Sequence, residues 1–152
     1  MLVYSSDPLS APVEVTGTPI VELWVTTDAP DTDFVAQLVD VEPDGTCWKI
    51  TDGILRLRFR DDPLGEPADA PAEPDKPYLV RIELMPTSMV FRKGHRLRLD
   101  VTSSSFPRWA RNLNVWDDTG VTIEQAKIAT NSVLHDGEHM SRVILPIIPP
   151  KD

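Results

Sequence analysis

Prolines punctuate this chain at Pro8, Pro12, Pro19, Pro30, Pro43, Pro63, Pro77 and Pro86, and they fall between short apolar runs. A proline removes a backbone donor and breaks a helix, so this spacing leaves room for little but extended segments. Fifteen of the 152 residues are proline, about twice the ordinary share.

Between the prolines the apolar residues recur with a period of two. "VELWVTT" sets Val21, Leu23 and Val25 on one face, and "YLVRIELM" does the same with Tyr78, Val80, Ile82 and Leu84. "HRLRLDVT" aligns Leu97, Leu99 and Val101. "FVAQLVDV" is apolar almost throughout, as expected of a strand covered on both sides. In "ILRLRFR" the alternation puts Leu55, Leu57 and Phe59 on one side, and Arg56, Arg58 and Arg60 read as the wet face. "SVLH" and "RVILPII" predict a closing hairpin through "DGEH". The best helical stretch, "TIEQAKIA", is short.

Many short strands with turns such as "PDG" between them predict an all-β fold, a mostly antiparallel sandwich or jelly roll. With no internal repeat or dividing linker, residues 1–152 read as one domain. The stretch of residues 61–77 holds five prolines and predicts an extended or mobile surface loop.

Charge narrows the function. A formal net charge of −9 and no basic stripe argue against nucleic acid and against anionic membranes. No 18-residue apolar run is present to span a bilayer, and "MLVYSSDPLS" lacks the features of a signal peptide, so a cytoplasmic setting is expected. The single Cys47 excludes an internal disulfide and reads as a small buried hydrophobe.

Several constellations could carry chemistry. His135, Glu138 and His139 fit the H-x-x-E-H zinc-hydrolase pattern, but that chemistry needs a helix and Gly137 sits inside it, so a turn is the expectation. No G-x-S-x-G elbow presents a nucleophile, and Ser103, Ser104 and Ser105 read as turn residues at a strand end. Asp28, Asp31 and Asp33 are hard oxygen donors for calcium in type, not in spacing, and read better as carboxylates that bind their own backbone amides. Trp48, Trp109 and Trp116 could stack a sugar, meet a protein, or simply cover the end of the sandwich. No cofactor is implied.

Four separated stretches resemble one known family in order and spacing. They are "VTGTPIVELWVTTDAPDTDFVAQLVDVEPDG", "TDGILRLRFR", "PTSMVFRKGHRLRLDVTSSSFPRWARNLN" and "LHDGEHMSRVILPIIP". The chain is similar to the C-terminal domain of the cocaine esterase and X-Pro dipeptidyl-peptidase (CocE/NonD) family of serine hydrolases. That resemblance implies a galactose-binding-like jelly roll that braces an α/β-hydrolase domain and helps wall its substrate pocket. The nucleophile, acid and histidine of such enzymes lie upstream, so this chain alone is expected to be inactive while its parent is a hydrolase. Its expected partner is the catalytic α/β-hydrolase domain, and apolar surface left bare in isolation favours self-association.

The resemblance also singles out a serine-rich loop as the expected contact with the catalytic domain: Ser103, Ser104, Phe106, Pro107, Arg108, Trp109, Arg111 and Asn112. It departs from the family pattern at Trp109, Ala110 and Leu113. The alternative is a free-standing sandwich that binds a carbohydrate or similar polar ligand through Trp109, Trp116 and the neighbouring arginines, with calcium at the aspartate-rich loop as an option.

Overall fold

Alternating residues make a ribbon with one oily face, and two such ribbons must cover one another to leave water. The computed structural model describes residues 1–117 and 119–149 and shows this solution. Eleven strands are described: β1 (Leu2–Ser5), β2 (Val13–Gly17), β3 (Ile20–Thr27), β4 (Asp33–Val41), β5 (Cys47–Arg56), β6 (Tyr78–Glu83), β7 (Thr87–Phe91), β8 (Arg96–Thr102), β9 (Asn131–Val133), β10 (Arg142–Ile144) and β11 (Ile147–Ile148). All pairings are antiparallel, and the strands group as β1-β8-β4-β5, as β3 between β6 and the pair β9 and β10, and as β11-β2-β7.

The predicted faces meet in one core. Val21, Leu23 and Val25 of β3 and Val80 and Ile82 of β6 pack with Phe34, Ala36 and Leu38 of β4 and with Leu99 and Val101 of β8. Val15 of β2 and Phe91 of β7 join from the third group. Val35 and Val39, on the other face of β4, are buried as well, which explains the unbroken apolar run of that strand.

Four expectations are corrected. "SVLH" and "RVILPII" do not form a hairpin with each other. β9 and β10 lie end to end along one edge of β3, with Val133 opposite Val25 and Arg142 opposite Glu22. β3 is long enough to hold both, and residues 134–141 leave the sheet between them. The gap is tied off by Ser141, whose hydroxyl accepts the Trp24 N–H at 3.0 Å and donates to the Leu134 carbonyl at 2.9 Å.

"TIEQAKIA" contributes only a 3-10 turn at Ile123–Gln125, closed by Thr122 and Gln125. Eight residues with one capping pair are too few to hold an isolated helix. Cys47 is exposed, because it opens β5 at the tip of the β4–β5 hairpin instead of facing the core. The arginine row is not a wet strand face: β5 ends at Arg56, and the chain turns through a 3-10 turn at Leu57–Phe59. That turn buries Leu57 fully and swings Arg58 inward.

The proline-rich stretch follows the body of the protein. Ala72 N–H donates to the Pro30 carbonyl at 2.9 Å and Asp75 N–H to that of Thr27 at 3.1 Å, while Arg60 Nη2 holds the Ala70 carbonyl at 2.9 Å.

Candidate functional site

Two carboxylates, Asp31 just before β4 and Asp33 at its first position, organise one end of the sandwich. Asp31 is fully buried and Asp33 nearly so, and burial of that kind requires partners. Asp31 Oδ1 accepts the Arg58 N–H at 2.9 Å, and its Oδ2 accepts Arg58 Nε at 2.7 Å. Asp33 Oδ1 accepts Arg56 Nε at 3.0 Å. The Asn112 amide bridges the two acids, donating to Asp31 Oδ2 at 3.2 Å and to Asp33 Oδ1 at 2.7 Å.

This cluster tethers the loop of residues 103–117 from below. Arg58 Nη2 donates to the Val115 carbonyl at 3.0 Å, and its guanidinium lies 5.7 Å from the centre of the Trp116 ring. Asn112 Oδ1 accepts the Asn114 N–H at 2.8 Å. Asn114 sits at φ 57°, a left-handed conformation that asparagine tolerates, and its side chain holds the Lys127 carbonyl at 2.7 Å. At the loop's start, Ser103 Oγ accepts Asn131 Nδ2 at 2.8 Å and Ser105 Oγ accepts Gln37 Nε2 at 3.4 Å.

Burial holds the Asp33 carboxyl above the usual carboxylate range, and the Asp31 charge adds to that, against the pull of Arg56 and Asn112. A carboxyl with a raised folded value binds more protons folded than unfolded. Its contribution is therefore complete below the unfolded value near about 4 and is lost as pH rises through the folded value. We expect the stability margin of the wild type over Asp33→Asn to be largest near pH 4 and to shrink toward pH 7. Urea unfolding of both proteins across that range checks this; a margin that grows with pH would contradict it.

The outer side of the loop is different. Phe106 is 76% exposed, and Ser103, Ser104, Pro107 and Arg111 are exposed too. Arg108 reaches Asp52 Oδ1 at 3.3 Å and lies 4.9 Å from the Trp109 ring centre, with Met85 beside it. Asp52 also holds Lys49 at 3.1 Å. The eight residues singled out in the sequence thus split: Asn112 is spent inside the chain, and most of the others face outward over a fixed base.

The other constellations are pulled apart. His135 Nε2 is 2.9 Å from the Tyr4 hydroxyl, whereas His139 Nδ1 pairs with Asp136 at 2.9 Å and its ring meets Trp24 edge-on. Among the described residues no group of three His, Cys, Asp or Glu side chains is placed to hold a metal ion. Asp28 does bind a backbone amide, that of Thr130 at 2.7 Å, which lowers its own carboxyl, but Asp31 and Asp33 take mostly side-chain donors. Sequence reading missed these ion pairs; the available signal was a pair of acids and a row of arginines, each set into an apolar stretch.

Asp31, Asp33 and Asn112, part of the buried polar set of this antiparallel β-sandwich, thus brace one surface loop. Residues 1–144 match the X-Pro dipeptidyl-peptidase C-terminal non-catalytic domain, and the chain belongs to that family. It is 41% identical to the cocaine esterase of a Rhodococcus species over 153 aligned positions, covering 97% of this chain and 25% of that enzyme. Among solved structures it is similar to an aminopeptidase from a marine sediment Thaumarchaeota archaeon, with a TM-score of 0.88, 31% identity, and coverage of 97% of this chain and 26% of the other. An α-amino acid ester hydrolase also matches with a TM-score of 0.88, at 27% identity, over 97% of this chain and 25% of the other. The chain spans about a quarter of the length of these relatives.

Proposed function

We propose that this chain braces the α/β-hydrolase domain of a larger serine hydrolase and helps wall its substrate pocket, with esters, amides or X-Pro peptides as the substrate class. The observation that carries this reading is the two-sided loop of residues 103–117. Its underside is fixed by Asn112 and Arg58, while Phe106 and Arg111 project outward and engage no hydrogen-bond or ring partner among the described residues. A rigid support under an exposed aromatic and cations is the arrangement that anchors a protein contact, since little ordering entropy remains to be lost on docking.

The faces of the two candidate sugar-stacking rings support the same reading. Arg108 lies over Trp109 and Arg58 over Trp116.

The test uses the longer protein encoded by the reading frame that includes this chain. Hydrolysis of p-nitrophenyl esters and X-Pro p-nitroanilides is expected from it and not from the 152-residue chain alone. Within it, the paired change Phe106→Asp and Arg111→Glu should reduce kcat/KM about tenfold or more while the sandwich stays folded. Unchanged activity with the pair, or a reading frame without a G-x-S-x-G nucleophile, would refute the proposal.

A further inference from the structure

At the other end of the sandwich, roughly 25 Å along β4 from Asp33, lies an open cavity of about 440 Å³ beneath Trp48. We infer that it is a binding site for a neutral pyranose sugar, stacked on Trp48 and hydrogen-bonded by Glu42, Arg92 and His95.

The aromatic is presented as a platform. Trp48 is 57% exposed, and among the described residues no ring or cation covers its faces, unlike those of Trp109 and Trp116. Its orientation is tethered at one point, where indole Nε1 donates to Glu42 Oε1 at 2.8 Å. Glu42 is itself held in the hairpin turn, its N–H donating to the Thr46 carbonyl at 2.9 Å and its carbonyl accepting the Gly45 N–H at 2.9 Å. A half-bare indole tethered in this way has less freedom to lose when a flat C–H face settles on it.

The polar groups around it offer both senses of hydrogen bond. Glu42 keeps its second carboxylate oxygen as an acceptor. His95 Nδ1 lies 3.0 Å from both oxygens of the buried Asp40. With Nδ1 turned to that carboxylate, His95 leaves Nε2 as the ring nitrogen available to a hydroxyl, which can both donate and accept. Arg92 is exposed, and its guanidinium has no ion-pair partner among the described residues, which supplies donors. Adjacent sugar hydroxyls need this mixture of donor and acceptor about an apolar face. Among the lining side chains the carboxylates of Asp40 and Glu42 face a single arginine, Arg92, so a uronate is disfavoured.

This inference stands apart from the hydrolase reading, since it uses the opposite end of the fold. The test is titration of the ¹⁵N-labelled chain with methyl glycosides of glucose, galactose and mannose, following the Trp48 indole N–H signal by NMR. Methyl glucuronoside and the open-chain polyol sorbitol serve as comparisons.

At least one neutral glycoside should shift that signal saturably, with a Kd on the order of 1 mM for a ligand of this size. Trp48→Ala lacks the indole signal, so it and the wild type are compared by the backbone amides of residues 42–48. Trp48→Ala should weaken binding about tenfold or more and Glu42→Gln less, both with otherwise native amide spectra. Four results would overturn the inference. These are no saturable shift with any neutral glycoside, an equal response to sorbitol, a response to the glucuronoside alone, or binding that survives in Trp48→Ala.

Discussion

Asp31→Ala should lower the unfolding free energy by about 3 kcal/mol or more, the scale for removing one member of a buried ion pair. Its two oxygens receive three donors: the Arg58 N–H, Arg58 Nε and Asn112 Nδ2. Asp31 is fully buried and the Arg58 side chain is 13% exposed, so water is poorly placed to replace those contacts. Asp31→Asn keeps the shape and one acceptor oxygen, and should cost less. Asp61 provides the contrast, since its side chain is 75% exposed and its oxygen is 3.8 Å from Arg60 Nε. Asp61→Ala should change stability by less than about 0.5 kcal/mol. Urea denaturation of the three variants checks the ordering; an Asp31→Ala loss below about 1 kcal/mol would show that the cluster does not hold the loop.

Gly53→Ala should cost about 3 kcal/mol, the upper part of the usual range for overpacking. A Cβ at Gly53 would fall 3.1 Å from Leu84 Cα and closer still to the Glu83 carbonyl oxygen. The obstacle is backbone, so no rotamer change relieves it. Nor can the two segments easily part: Met85 N–H donates to the Asp52 carbonyl at 3.0 Å, and Thr51 Oγ1 donates to the Met85 carbonyl at 2.6 Å. Asp52 also receives Arg108, so a shift of β5 would move the loop's outer side. Thermal unfolding measures the stability loss, and the NMR signals of residues 106–109 should move with it. A variant as stable as the wild type, with unmoved loop signals, would exclude this close approach as a constraint.

Strand faces were legible in the sequence because side-chain direction along a strand depends only on neighbouring residues. Val21, Leu23 and Val25, and likewise Val80, Ile82 and Leu84, are buried as the alternation predicts. The prolines excluded long helices for an equally local reason. Partners in space were not legible. "SVLH" and "RVILPII" read as mates because they are neighbours in the chain, whereas β9 and β10 both pair with one edge of β3 and Ile147–Ile148 pairs with β2. Cys47 has the composition of a core residue, yet a hairpin tip exposes it.

The loop of residues 103–117 shows where the division falls. Its serines, arginines and asparagines mark it in the sequence as a surface with a task. Only the fold separates Asn112, locked over two acids some eighty positions earlier, from Phe106, which faces outward. The sequence by itself determined an antiparallel β architecture, since period and proline placement act within a few residues. The tertiary structure decided which charges are buried, which indole is bare and which side of the loop is free. Desolvation and close backbone approach depend on segments far apart in the chain, and no local pattern encodes them.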